Sequence, residues 1–178
     1  MKYLIAIFIP YALTSCHFFS QEGRKAREIT LSWRNREITL PTNLPCKVMG
    51  QDTTYLPFHF KKYKIFTYID TVGCSACQFG ALDWKHLIQE TDSLTLDVAF
   101  LFYAHLKDYE EFETYTQINK FNYPIFYDYK GECNKQNHLP DHVFYQTFLL
   151  DETNKVLLVG KPKPGRKLWE LYKKIITQ

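Results

Sequence analysis

Apolar positions open as an almost unbroken run, Tyr3 to Leu13, behind a single cation, Lys2. Such a run is too short for a membrane-spanning helix, which takes ~20 residues, but it suits the apolar centre of a secretory leader. Residues 17–27 are polar and predict a flexible tether. Between Glu28 and Pro41, the segments REITLSW and REITLP alternate apolar and polar positions around Arg34-Asn35, which predicts a small hairpin. Residues 42–62 contain Pro45, Gly50 and Pro57 and predict an irregular connection.

Beyond this point strand and helix patterns alternate. Lys64 to Asp70 predicts a strand that runs into Thr71-Val72-Gly73. A helix follows, with Ala81, Trp84, Leu87 and Ile88 on one face. Leu96 to Ala104 is apolar on both faces, the pattern of a central parallel strand covered by helices on two sides. Asp108 with Glu111 forms a capping box for a helix displaying Tyr109, Phe112 and Phe121. Pro124–Tyr127 predicts a short strand, and residues 131–141 a short helix or loop. Phe144–Asp151 and Lys155–Gly160 predict two strands around a turn at Glu152-Thr153-Asn154. The last helix opens at Pro164 and carries Leu168, Leu171, Tyr172 and Ile175. Together these elements predict an α/β domain: a central mixed sheet flanked by helices, with an N-terminal β-hairpin extension.

Composition adds limits. At 46% hydrophobic and 17% aromatic, the chain has ample material for one core. The formal charge of +3 gives no electrostatic case for nucleic acid. The pairs Lys61-Lys62 and Lys173-Lys174 read as solvated surface.

The candidate chemistry lies in the cysteines at 16, 46, 74, 77 and 133. Leu13-Thr14-Ser15-Cys16 looks like the lipobox of bacterial lipoproteins: a branched residue, two small ones, then the cysteine that takes the lipid. The expected division is therefore a signal peptide at 1–15, a lipid-anchored tether at 16–27 and a folded domain at 28–178. His17 follows Cys16, so the aspartate that retains some lipoproteins in the inner membrane is absent, and the expectation leans to the outer membrane. Cys74 and Cys77 are too close together to staple distant parts of a fold. One C-x-x-C supplies only two of the about four ligands of a structural zinc. The pair points instead to redox chemistry in a compartment that permits disulfides.

A C-x-x-C where a strand feeds a helix, within this element order, is the sign of a thioredoxin-like redox motif. Over residues 28–178 the chain resembles the membrane-anchored, TlpA-like thioredoxins of bacteria. Asn35–Pro41 looks like their N-terminal hairpin segment, Lys64–Gln78 like the active-site strand and turn, and Gln146–Val156 like the late hairpin facing the dithiol. The resemblance implies a thiol–disulfide oxidoreductase in the cell envelope, acting on protein thiols and disulfides, with no cofactor.

A cysteine at the first turn of a helix faces unpaired N–H groups and the positive end of the helix dipole, and both favour the thiolate. Cys74 is then the attacking thiol and Cys77 the resolving one. The chain departs from the family at Gly73, where an aromatic residue is usual, and at Tyr145, which stands in place of a cis-proline. The acidic residue often found beneath the dithiol would align near Tyr68. Asp70 is a neighbouring candidate, with turn capping as its other reading. Two further readings compete for the whole chain. One is a non-catalytic binding module on the same fold. The other is a Cu(I) chaperone using the dithiol and His142, since thiolates with an imidazole suit copper. His138 and His142 also read as ordinary loop histidines. Cys46 and Cys133 could pair with each other, Cys133 could exchange with the dithiol, or both could be isolated structural thiols.

Overall fold

A computed structural model describes residues 24–54, 60–70 and 79–178. The chain divides into two compact units, residues 1–33 and residues 34–178.

In the first unit, residues 24–33 form a helix, α1. The expected hairpin over 28–41 therefore does not form, and the last residues of the expected tether are helical. The physical reason is an ambiguity of period. Ile29 and Trp33 alternate like a strand but are also four residues apart, and Ala26, Arg27, Glu28 and Leu31 favour a helix. Thr30 Oγ1 turns back to donate to Ala26 O at 2.8 Å. The second half of the expected hairpin keeps an extended role in the other unit, pairing with a distant partner. Glu37 forms a bridge with Lys155, and Ile38 N donates to Asn154 O at 3.0 Å.

The second unit holds a seven-stranded sheet. Its strands are β1 (Cys46–Val48), β2 (Gln51–Thr53), β3 (Tyr63–Ile69), β4 (Val98–Ala104), β5 (Ile125–Tyr127), β6 (Thr147–Leu150) and β7 (Val156–Val159). The order across the sheet is β2-β1-β5-β4-β3-β6-β7. β3, β4 and β5 run parallel and the other pairings are antiparallel. An N-terminal hairpin is thus present, but β1 and β2 build it from residues expected to be irregular. Its turn places Met49 at φ 49° and Gly50 at φ 83°, the positive-φ pair that a tight hairpin needs. Methionine in that position, and an exposed Gln-Asp-Thr strand, carry no pattern by which to see it.

β3 and β4 are buried at every position, because helices and loops cover both faces. The described helices of this unit are α2 (Ala81–Ser93), α3 (Tyr109–Ile118), α4 (Glu132–Asn137) and α5 (Lys167–Ile176). One face of the sheet presents Ile65, Ile69, Phe100 and Phe102 to Trp84 and Leu87 of α2 and Trp169 and Tyr172 of α5. On the other face Phe66 packs against Tyr103 and Phe148. Asp108 caps α3 as expected, its side chain accepting from Glu111 N. Three details differ from expectation. Phe121 lies beyond the end of α3, fully buried after a left-handed Lys120. α5 begins at Lys167, not Pro164, and Leu171 faces outward, 44% exposed. Residues Val143–Tyr145 form a 3-10 turn, so β6 starts only at Thr147.

Candidate functional site

The thiols predicted to carry the chemistry, Cys74 and Cys77, and the lipid acceptor Cys16 lie outside the described residues. What the structure gives is the frame on either side of the dithiol. β3 leads into it through Ile69 and Asp70, and Phe79, Gly80 and the first turn of α2 lead out.

Asp70 does not stand alone at the strand end. Its Oδ2 accepts from Gln146 Nε2 at 2.6 Å, and the same amide donates to Pro140 O at 3.0 Å. Gln146 is itself held by the sheet, its carbonyl accepting from Tyr68 N at 2.9 Å. One buried glutamine therefore ties the exit of β3 to the loop before β6. That loop carries the 3-10 turn with Tyr145 at the position of the expected proline, and among the described residues no peptide bond is cis. The bond gives Asp70 a tying role that neither of its two sequence readings included.

Tyr68 stands where the resemblance puts the acidic residue beneath the dithiol. Side chains alternate along a strand, and Tyr68 projects to the face opposite Thr67 and Ile69. Its phenol lies in the field of Asp128 and Cys133, and burial pushes its pKa up.

On the outgoing side, Lys161 reaches the backbone beyond the dithiol. Its Nζ donates to Phe79 O at 2.8 Å and stands 5.8 Å from the centre of the Trp84 ring. Burial lowers the Lys161 pKa to about 8, against an upward pull from Asp83. At about 8 the amine still holds most of its charge at neutral pH, and it bonds the carbonyl of Phe79, two residues past Cys77 in sequence. Nothing local marks Lys161 in the sequence; the one available cue is its place directly after Gly160, at the end of a strand.

The remaining cysteines are free thiols, buried on β1 and α4. They do not pair with each other. Burial pushes Cys46 up to about 11 and Cys133 up to about 12, so both stay protonated and unreactive. His142 caps the 3-10 turn, its Nδ1 accepting from Phe144 N at 3.3 Å. That is the role of an ordinary loop histidine. His138 is exposed at the end of α4 with a left-handed backbone.

No protein-family model and no curated protein matches the sequence. Solved structures do. A thiol:disulfide interchange protein from Bacteroides sp. superimposes with TM-score 0.55 at 11% identity, over 80% of this chain and 91% of that one. The peroxidoxin BcpB of Mycobacterium tuberculosis matches with TM-score 0.54 at 14% identity, over 81% of this chain and 94% of that one. The thioredoxin domain of a Bacteroides vulgatus thiol-disulfide oxidoreductase matches with TM-score 0.51 at 14% identity, over 78% and 99%. Identities this low speak for architecture alone, and on that ground the chain has the thioredoxin-like fold.

Proposed function

We propose that this protein is a thiol–disulfide oxidoreductase of the bacterial cell envelope, held to a membrane by lipid on Cys16. The observation that carries the reading is positional. Cys74 and Cys77 fall between the end of β3 and the start of α2, where a strand of the parallel core hands over to a helix, and the fold is one that thiol–disulfide exchange proteins share. Crevices outside the carboxyl ends of parallel strands are where such folds place their chemistry.

The exchange runs in two steps. The Cys74 thiolate attacks one sulfur of a partner's disulfide, forming a mixed disulfide and expelling the other partner sulfur as a thiolate. Cys77, losing its proton, then attacks the Cys74 sulfur. A Cys74–Cys77 disulfide forms and the second partner thiolate leaves, so two electrons pass from the dithiol to the partner. In the reverse direction the same bonds form and break and the partner is oxidised.

The expected behaviour is asymmetric. Cys77→Ser retains the first attack and loses resolution, so it accumulates mixed disulfides with envelope proteins; Cys74→Ser accumulates none. Non-reducing electrophoresis of acid-quenched cells reads this out. Equal trapping by both variants, or by neither, refutes the oxidoreductase reading and leaves a binding module on the same fold.

A further inference from the structure

The two residues that flank the dithiol in the described chain, Asp70 before it and Phe79 after it, are both gripped from the same side of the sheet. On the incoming side Gln146 donates to Asp70 at 2.6 Å. On the outgoing side Lys161 donates to Phe79 O at 2.8 Å. Both donors are themselves fixed to one short segment, since Gln146 N donates to Val143 O at 3.3 Å and Lys161 N to Phe144 O at 2.9 Å. The two grips meet at a cavity of about 20 Å³, whose lining includes Ile69, Asp70, Phe79, Gln146 and Lys161.

The place of the Lys161 ammonium is built by two glycines. Gly160 lies at φ +122°, and a Cβ there would come within 3.0 Å of the Phe144 ring and 3.2 Å of Leu168. Glycine alone turns the chain there without strain and lets Lys161 follow it. Gly80, at φ +64°, stands next to the ammonium: a Cβ would lie 3.5 Å from Nζ and 3.8 Å from Asp83 Oδ2. Asp83 favours the charge on Lys161 and Lys163 opposes it, and burial outweighs both. Holding an ammonium out of water costs stability. A methionine would fill much the same volume without that cost, so packing does not account for a cation here.

We propose that Lys161 is a positioning residue for the dithiol: bound to the Phe79 carbonyl, its ammonium sets a positive charge beside the C-x-x-C and favours thiolate over thiol. Covalent geometry keeps the Cα of Cys77 within about 7 Å of that of Phe79. Across a protein interior, a unit charge about 10 Å away moves a pKa by roughly one unit. Favouring the thiolate also stabilises the reduced pair, so the charge raises its reduction potential. The inference rests on the oxidoreductase reading and deepens it by naming a group that sets the reactivity of its thiols.

The test compares the reduced full chain with Lys161→Met and Lys161→Arg. Iodoacetamide alkylation is followed against pH and read at Cys74 and Cys77 separately by peptide mass spectrometry. The equilibrium of the 74–77 pair with glutathione is measured at pH 7. In Lys161→Met the alkylation midpoint of the more acidic thiol should rise by about one unit, and the equilibrium should move toward the disulfide by about three- to tenfold. Lys161→Arg retains a cation and should hold the equilibrium within about twofold of the parent. Circular dichroism on heating checks that the variants fold, with the Met variant expected to melt no lower than the parent. Every thiol has a midpoint whether or not it trades disulfides with a partner. The result is therefore independent of what Cys77→Ser traps in cells, and the oxidoreductase reading can fail without it. The proposal is overturned if Lys161→Met keeps the parent's midpoints and equilibrium, as for a lysine that only braces the fold. It is also overturned if Met and Arg shift them equally, since the charge would then play no part.

Discussion

Lys161 shows how burial rewrites an ordinary residue. In the unfolded chain its amine titrates near 10.5, and in the fold near 8, because its desolvation outweighs the pull of Asp83. Between those values the unfolded chain binds more protons than the folded one. This residue's contribution to stability therefore rises with pH across that window, and the cost of holding the ammonium is present in full below it. Replacing Lys161 by Met should give a stability gain, relative to the parent, that is largest below pH ~8 and shrinks toward pH ~10.5. Urea midpoints at a series of pH values measure it, and a difference that stays flat with pH would show that Lys161 is solvated. The same arithmetic explains the quiet of Cys46 and Cys133. Their raised pKa values keep them protonated, as packing groups.

Elements in this chain are decided partly at their ends. Asp108 accepts from Glu111 N at 2.8 Å and closes the first turn of α3. Asp108→Ala should cost about 1 kcal/mol, the usual worth of an N-cap, read as a lower urea midpoint with an unchanged slope. A loss indistinguishable from zero would mean that packing of Phe112 alone holds the helix. At the far end of the sheet, Glu90 of α2 joins α5 by accepting from Trp169 Nε1 at 2.8 Å and Lys173 Nζ at 2.6 Å. The Lys173 hydrogen bond holds the Glu90 carboxyl below its ordinary range. Where the sequence carried a strong period or a cap, as in α2, α3 and β4, the element appears within a few residues of its expected place. Where the period was ambiguous, as over 28–41, the partner available in space chose between helix and extended chain.

For the whole molecule, the open matter is attachment. On the proposed lipid anchor, Cys16→Ala should abolish lipid incorporation and leave unprocessed or mislocalised protein, because it removes the proposed acceptor. Metabolic labelling with a fatty acid checks this, and label persisting on the variant would contradict the anchor. Among the described residues no helix is long and apolar enough to cross a membrane. The sequence by itself determined the class of fold, the strand β3, the doubly covered strand β4, and the place of the C-x-x-C between a strand and a helix. Each of these is written in short-range periodicity or spacing. Only the tertiary structure decided the hairpin of β1 and β2, the bridge of Glu37 to Lys155, the amide of Gln146 on Asp70 and the reach of Lys161 to Phe79 O. It also decided that Tyr68 turns to the sheet face opposite Ile69, where it lines a cleft with His105. Most of these contacts join residues tens of positions apart, and local patterns do not record which distant groups the fold brings together. The desolvation that sets the charge of a buried side chain exists only once those groups have met.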